Sequence, residues 1–196
     1  MEPGAGMDED GVWMGKRPAT YADLEALPEH QVGEILGGEL YASPRPALPH
    51  AWTASALGGL LIGPLMLGMN GPGGWVLLDE PELHLGEDVL VPDLAGWRRE
   101  RLPELPRAAA MTLAPDWVCE ILSPSNRARD RVLKLPLYAR EGVPCVWLVD
   151  PDVRTLEVFR LSGPHYTLVA SYAEDAVLRA EPFEALEFRL GLLWGR

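Results

Sequence analysis

Apolar and polar positions are distributed along this chain in a pattern that predicts many short strands and few long helices. Apolar runs bounded by turn residues indicate strands, because buried strands are short and are commonly flanked by Gly, Pro, Asn or Asp. The predicted strands cover residues 75–78, 89–96, 117–122, 146–150, 155–161 and 166–171. Nearer the N-terminus, Gly37 and Gly38 separate two more short strands, and this two-residue connection predicts a hairpin turn with positive φ.

Three segments predict helices. Residues 20–27 open with a capping residue and an acidic residue three positions later. The apolar segment 51–69 approaches the length of a membrane span, but its glycines and Pro64 interrupt it, so we expect a kinked core helix. Residues 129–140 have helical character, and Pro136 should bend or divide that helix. Helices that flank a mixed sheet give an α/β fold.

Glu120 is the one charged residue in the apolar run 117–122. Side chains alternate between the faces of a strand, so Glu120 shares its face with Val118 and Leu122. A carboxylate on such a face must be paired, bound to a metal ion or protonated to remain buried. Glu120 is therefore the first candidate for a functional side chain.

Asp93 repeats this anomaly in the predicted strand 89–96. If the strands of Asp93 and Glu120 are neighbours, their mutual repulsion raises the pKa of one carboxyl unless a cation lies between them. Oxygen ligands of this kind favour a hard ion, Mg²⁺ or Mn²⁺. The alternative is structural, because an Asp that follows Pro92 can also cap a turn by bonding to the backbone.

Lys134 lies in the predicted helix that follows Glu120, after the turn 123–126. It can supply positive charge beside the two carboxylates. Asp130 precedes it by four residues, and such a pair is also typical of a surface salt bridge worth a few tenths of a kcal/mol. Both interpretations are compatible with the sequence.

The composition is that of an ordinary globular protein of 196 residues, with 47% hydrophobic and 23% charged residues. We expect one domain at residues 18–196, preceded by a flexible extension at residues 1–17 that lacks the apolar core of a signal peptide. Cys119 and Cys145 both fall in predicted strands, which favours buried thiols over a disulfide or a metal site. These features predict a cytoplasmic protein that is not bound to a membrane.

The net charge of −12 and the sequence pI near 4.7 argue against an enzyme that covers DNA with a basic surface. A run of basic residues beside the candidate site could nevertheless contact phosphates; it comprises Arg127, Arg129, Arg131 and Lys134. Helical residues two positions apart do not share a face, so most of this run is better explained as a solvated surface. We expect modest affinity for DNA.

Four segments, at residues 33–50, 86–98, 115–143 and 146–160, together resemble the Uma-type restriction endonuclease family of the PD-(D/E)XK nuclease superfamily. The resemblance implies a restriction-endonuclease-like α/β fold, a mixed β-sheet flanked by helices. It also implies that Asp93 fills the PD position and Glu120 the (D/E) position. Leu122 stands where the superfamily lysine is usual, and the resemblance implies Lys134 as the migrated lysine.

The same resemblance implies further residues at the site. Glu34 matches an acidic residue of the family's N-terminal hairpin, and His50 matches a histidine at the start of its first long helix. Without the resemblance, a hairpin glutamate is more often exposed to solvent, and His50 is a plain helix-start residue. In the nuclease interpretation, Ser123 and Asp130 hold the turn and Lys134 in place.

These expectations predict an endonuclease that depends on Mg²⁺ or Mn²⁺ and hydrolyses DNA. Asp93, Glu120 and the backbone carbonyl of Ile121 would hold the ion, while Lys134 orients water or stabilises the developing phosphorane charge. A homodimer is expected if both strands of a duplex are cut. Two rival functions stay open: an inactive module that binds an ion or a partner, and a metal-dependent hydrolase of a small phosphorylated molecule.

Overall fold

A six-stranded mixed sheet forms the centre of the computed structural model, which describes residues 17–195. In spatial order its strands are β10 (His165–Ala173), β9 (Thr155–Ser162), β8 (Cys145–Asp150), β7 (Trp117–Ile121), β6 (Leu94–Arg98) and β3 (Trp75–Asp79). The β7–β8 pair is parallel, and the other neighbouring strands of this sheet are antiparallel. The predicted N-terminal extension lies, except for Arg17, outside the described residues.

A smaller antiparallel sheet of four strands accompanies the central sheet. Its spatial order is β2 (Glu39–Pro44), β1 (Gln31–Leu36), β5 (Asp88–Leu90) and β4 (Leu83–Leu85). Gly37 and Gly38, with φ of 60° and 82°, form the predicted hairpin turn between β1 and β2. The two short strands β11 (Val177–Leu178) and β12 (Phe188–Arg189) pair separately.

The helices are short except for one. They are α1 (Tyr21–Glu25), α2 (Leu48–Leu61), α3 (Arg127–Arg129), α4 (Leu135–Arg140) and a C-terminal 3₁₀ helix (Leu190–Trp194). A π-helical turn, Ile62–Met66, continues α2, and a second π-helical turn, Asp130–Lys134, joins α3 to α4. No helix among residues 17–195 combines the length and the apolar character needed to cross a bilayer.

The central sheet is apolar on both faces, and alternate residues of β7 belong to different clusters. Trp117, Cys119 and Ile121 pack with α2 and the C-terminal 3₁₀ helix. Val118 and Leu122 pack on the opposite face with residues of the small sheet and of α4. The predicted face of Glu120 is therefore the one covered by the small sheet and α4, and the carboxylate lies inside the protein.

Most of the predicted elements are confirmed, but the strand predicted at residues 89–96 is wrong. The chain leaves the small sheet after β5, crosses between the sheets, and enters the central sheet at β6. Pro92 lies in this crossing and cannot donate a ladder hydrogen bond. Asp93 consequently occupies the bend before β6 and not the interior of a strand.

The helical predictions are confirmed with shifted bounds. The helix expected at 51–69 begins earlier, at Leu48, and its kink is the π-helical turn that contains Pro64. The helix expected at 129–140 is divided just before Pro136, which would otherwise clash with the preceding turn. Cys119 and Cys145 are buried free thiols, as expected.

Candidate active site

One carboxylate oxygen of Glu120 contacts both Lys134 and Tyr138. This oxygen, Oε1, lies 2.7 Å from Lys134 Nζ and 2.5 Å from the hydroxyl of Tyr138, which donates to it. Glu120 and Lys134 are each only 2% exposed, so this contact is almost entirely shielded from bulk solvent. Lys134 and Tyr138 reach the same atom because residues four apart lie on the same side of a helical segment.

Glu34 holds Lys134 from the other side. Strand β1 places its Oε1 2.8 Å from Lys134 Nζ, and the same oxygen accepts a hydrogen bond of 2.9 Å from the backbone N–H of Val91. Arg129 Nε lies 3.6 Å from Oε2 of Glu34. The Lys134 ammonium, the Val91 N–H and the Arg129 guanidinium thus hold the carboxylate of Glu34 in place. Glu34 is buried and does not face solvent, unlike most glutamates in hairpins.

Asp93 is fixed between the helix α2 and the strand β7. Its Oδ2 accepts a 2.6 Å hydrogen bond from the backbone N–H of Ile121, and its Oδ1 lies 3.0 Å from Nε2 of His50. Strands β6 and β7 are antiparallel, and Leu94 pairs with Cys119. The same register, extended by one residue, places Asp93 opposite Glu120. The two carboxylates are therefore brought together by neighbouring strands, with Glu120 inside β7 and Asp93 in the bend just before β6.

Asp130 is the least satisfied polar group of the site. Its side chain is 1% exposed, and neither carboxylate oxygen has a hydrogen-bond partner within residues 17–195. Lys134 Nζ is 3.9 Å away, so the pair predicted from the spacing exists but is buried. Burial raises the pKa of Asp130 to about 6, with a further contribution from Glu34 that Lys134 opposes.

The turn after β7 is held by side chains, and Ser123 lies in it. The backbone N–H of Ser123 donates to Oδ1 of Asn126 at 2.6 Å, and the Ser123 hydroxyl lies 3.0 Å from that of Ser125. Asn126 also donates to the carbonyl oxygen of Ile121 at 3.3 Å. This network fixes the direction of the one backbone carbonyl predicted as an ion ligand.

All seven predicted side chains line one cavity of about 310 Å³. They are Glu34, His50, Asp93, Glu120, Ser123, Asp130 and Lys134. The rest of the wall includes Arg45, Arg129, Glu80 and Asn126. The structure thus brings together all seven candidate side chains, from four separate segments of the chain.

The charged groups of the cavity shift one another's pKa values. Burial lowers the pKa of Lys134, but Glu120 and Glu34 more than offset this, so its pKa is raised above the ordinary value. Burial raises the pKa of Glu120 well above its usual range, against the opposing effect of Lys134. Burial also lowers the pKa of His50, yet its contact with Asp93 outweighs this and raises the value. Lys134 is therefore a cation at neutral pH.

The oxygen atoms of this cavity fit a hard divalent ion. Five carboxylates line it against three cations: Glu34, Glu80, Asp93, Glu120 and Asp130 against Arg45, Arg129 and Lys134. The oxygens of Asp130 lack hydrogen bonds within the described chain. Within residues 17–195, no group of three or more His, Cys, Asp and Glu side chains is spaced to enclose an ion. An ion here would have one or two carboxylate ligands and several waters, the arrangement that Mg²⁺ adopts.

The basic run beside the site is mostly engaged in ion pairs. Arg127 pairs with Asp150 at 2.8 Å, and Arg131 pairs with Glu157. Arg129 points to Glu34 and donates to the hydroxyl of Ser43 at 2.9 Å. Arg127 and Arg131 are therefore each paired with an acidic residue of the protein itself, which leaves less of the run's positive charge for phosphates.

Tyr138 is one residue of the site that sequence reasoning missed, and Glu80 in the cavity wall is another. Tyr138 is fully buried and donates to Glu120, and burial raises the pKa of its hydroxyl well above the ordinary value, so it stays protonated. A signal existed, because Tyr138 follows Lys134 by one helical turn and shares its face. A buried tyrosine in an apolar helix is, however, more often part of the core.

The mixed sheet, its flanking helices and the acidic cavity define an α/β protein of the restriction-endonuclease-like class. A crystal structure of a protein from Anabaena variabilis ATCC 29413, described as a "putative nuclease belonging to DUF820", has this fold. It superposes with a TM-score of 0.69 at 23% identity, over 90% of this chain and 98% of that one.

The family follows from the sequence match. A family model described as "Uma2: Putative restriction endonuclease" matches residues 18–192, and the chain belongs to that family. This confirms the resemblance drawn from the motifs. The search of curated proteins found no match.

Proposed function

We propose that this protein is a nuclease that hydrolyses phosphodiester bonds of DNA with the help of Mg²⁺ or Mn²⁺. The observation that carries the proposal is the convergence of Asp93, Glu120 and Lys134 on one cavity. The family description and the description of the Anabaena protein point to the same class of activity. Internal cleavage, which makes the enzyme an endonuclease, is part of the proposal.

Asp93, Glu120 and the carbonyl oxygen of Ile121 are the groups we assign to ion binding. A bound Mg²⁺ would supply Lewis-acid polarisation of the phosphate and a more acidic bound water. Asp93 is suited to its part because backbone and His50 contacts fix its orientation. Glu120 is suited because Tyr138 and Lys134 engage only Oε1, which leaves Oε2 to face a ligand.

Lys134 stabilises charge in this proposal and does not act as a base. Its raised pKa keeps it protonated, so it can donate to a phosphate oxygen but cannot accept a proton from water. A buried ammonium placed where negative charge develops needs little reorganisation during the reaction. Glu34, which contacts the same ammonium at 2.8 Å, positions it.

The test is cleavage of supercoiled plasmid and of single-stranded DNA in a titration with Mg²⁺ or Mn²⁺. Glu120→Gln and Lys134→Ala should each reduce the rate by about a hundredfold or more. Arg179→Ala is a suitable control, because Arg179 is exposed and pairs with Glu187 away from the cavity. Cleavage that is unchanged in both site variants would refute the assignment.

A second candidate is a metal-dependent hydrolase of a small phosphorylated molecule. The cavity volume of about 310 Å³ favours it, since this is the lower end of the range for small-molecule sites. Turnover of p-nitrophenyl phosphate or of nucleotides, without cleavage of DNA, would support this function instead. Ion binding without any turnover would support the inactive binding module.

Cutting both strands of a duplex would need two such cavities, and we propose that a homodimer supplies them. We also propose that the protein acts in the cytoplasm. A substrate with one strand needs only one cavity. Sedimentation of the protein with and without duplex DNA distinguishes a dimer from a monomer.

A further inference from the structure

We propose that the cavity accepts a flexible single strand of DNA and excludes the backbone of an intact duplex. This inference rests on the proposed nuclease function and names its substrate class. Three observations carry it: the depth of the reactive groups, the supply of positive charge around them, and the composition of the cavity wall.

The reactive groups lie inside the cavity, and of the assigned side chains Asp93 is the most accessible, at 14% exposure. Glu34 is 3% exposed, and Glu120 and Lys134 are each 2% exposed. A phosphate that is to reach Lys134 must therefore leave the surface and enter the cavity. The volume of about 310 Å³ accommodates roughly one nucleotide-sized group, at the low end of ligand-site volumes.

A duplex cannot present its backbone in this way at low cost. Each phosphate of a paired strand is held in line by base pairing and stacking, and drawing one nucleotide out costs a few kcal/mol. A single strand has no partner to leave, so the same movement is almost free. The depth of the site therefore discriminates between the two substrates by the cost of unpairing.

The supply of positive charge is also too small for a duplex face. Proteins that bind duplex DNA neutralise many phosphates with Lys and Arg, often six to ten or so. Here the cavity wall offers Arg45 and Arg129 in addition to Lys134, and five carboxylates line the same wall. Arg127 and Arg131 are paired with acidic residues, and the net charge of the chain is −12. This charge pattern fits a contact with one or two phosphates.

The wall of the cavity indicates which part of the strand is bound. The described wall residues include prolines, Ser43, Ser123, Ser125 and Asn126, with no Phe, Tyr or Trp among them. Proteins that hold bases usually stack them on such aromatic rings. Hydroxyl and amide groups instead suit sugar and phosphate oxygens. We therefore expect cleavage of single strands with little preference for base sequence.

The experiment compares a closed circular single strand with a relaxed closed circular duplex, using the full chain with Mg²⁺ or Mn²⁺. Neither substrate has ends, and a relaxed duplex has few unpaired regions. The single strand should be cut at least about tenfold faster, given the unpairing cost. A duplex with a short unpaired loop should be cut within the loop.

Variants at the cavity rim test the charge argument separately. Arg45→Ala should raise KM for the single strand by about fivefold, with kcat little changed, because a phosphate contact outside the reacting groups is lost. Arg45→Lys should retain most of the affinity. Arg179→Ala, an exposed arginine that does not line the cavity, is the matched control.

The outcomes separate this inference from the proposed function. If the duplex is cut as fast as the single strand, the inference is overturned while the nuclease function stands. If neither is cut with either ion, both are overturned. If Arg45→Ala behaves as Arg179→Ala does, the assignment of phosphate binding to the rim is overturned.

Discussion

The carboxylate of Asp93 accepts a hydrogen bond from the backbone N–H of Ile121, with 2.6 Å between Oδ2 and the nitrogen. Asp93 lies before β6 begins, so its side chain extends the contact between β6 and β7 beyond the last backbone pair. The bond fixes Asp93 beside Glu120, and it also satisfies a buried backbone donor. Asp93 thus makes the backbone contact of the structural interpretation and also occupies the position from which it would bind an ion in the proposed function.

Replacing Asp93 should separate these two contributions. Asp93→Ala leaves the buried N–H of Ile121 without a partner and should lower the free energy of unfolding by about 1–3 kcal/mol. Asp93→Asn keeps an acceptor oxygen, so most of the stability should remain while binding of Mn²⁺ and cleavage are lost. Urea unfolding and Mn²⁺ titration measure the two effects. Equal destabilisation by both variants would contradict the acceptor role.

Removing the Lys134 ammonium alone should lower the free energy of unfolding more than removing it together with the charge of Glu34. Lys134→Met leaves Glu34 and Glu120 buried without a positive charge, which should cost about 3–5 kcal/mol of unfolding free energy. Adding Glu34→Gln to this variant should recover part of the loss, because one uncompensated charge disappears. Denaturant unfolding of the two single variants and the double variant measures the coupling. Strict additivity would show that the contacts are not coupled.

The buried Asp130 should make stability depend on pH. Its folded pKa of about 6 lies above the ordinary value of 3.8, so the folded chain binds more protons between these values and stability falls as pH rises from about 4 to 6. Above pH 6 this loss is constant, at about 3 kcal/mol. Asp130→Asn removes it. The difference in unfolding free energy between Asp130→Asn and the natural chain should therefore increase from about pH 4 to 6 and then stay constant. A difference that does not change with pH would refute the raised pKa of Asp130.

The group that faces Asp130 most closely is Lys134, and Glu34, Arg129 and Asp93 also act on its pKa. A measurement at high salt controls for long-range effects of surface charge, which salt screens strongly. The buried contribution should persist under those conditions. Its disappearance would assign the pH dependence to surface groups.

Tyr138→Phe tests a positioning residue against a matched control. The variant removes the hydroxyl that donates to Glu120 while preserving the ring, so kcat should fall by about tenfold through misplacement of the carboxylate. Tyr166→Phe removes a part-buried bond, from its hydroxyl to the carbonyl of Val143 at 2.6 Å, outside the cavity. Both should lose about 1 kcal/mol of stability. A similar loss of kcat in both variants would reduce Tyr138 to a structural role.

Local patterns in the sequence predicted much of the site. An isolated glutamate in an apolar run indicated the buried Glu120, and Gly37-Gly38 indicated the hairpin that carries Glu34. Pro136 indicated where the helix after β7 divides. Each of these signals depends on neighbouring residues alone, and for that reason a single sequence reveals it.

Features that depend on distant segments were not predictable in this way. The crossing at Pro92 and the strand β4 depend on which sheet each segment joins, and a short strand in an acidic connection has no strong pattern of its own. The pairing of Arg131 with Glu157 depends on the packing of the turn after α3 against β9. The identification of Lys134 needed the family resemblance, since the spacing to Asp130 equally predicted a surface pair.

The crossing between β5 and β6 has a consequence for when the candidate site is complete. Glu34 belongs to the small sheet and Glu120 to the central one, and the ammonium of Lys134 joins them only after both have come together. In the proposed nuclease, a chain whose two sheets have separated holds only half of these contacts. We therefore expect hydrolysis only from the completed native state.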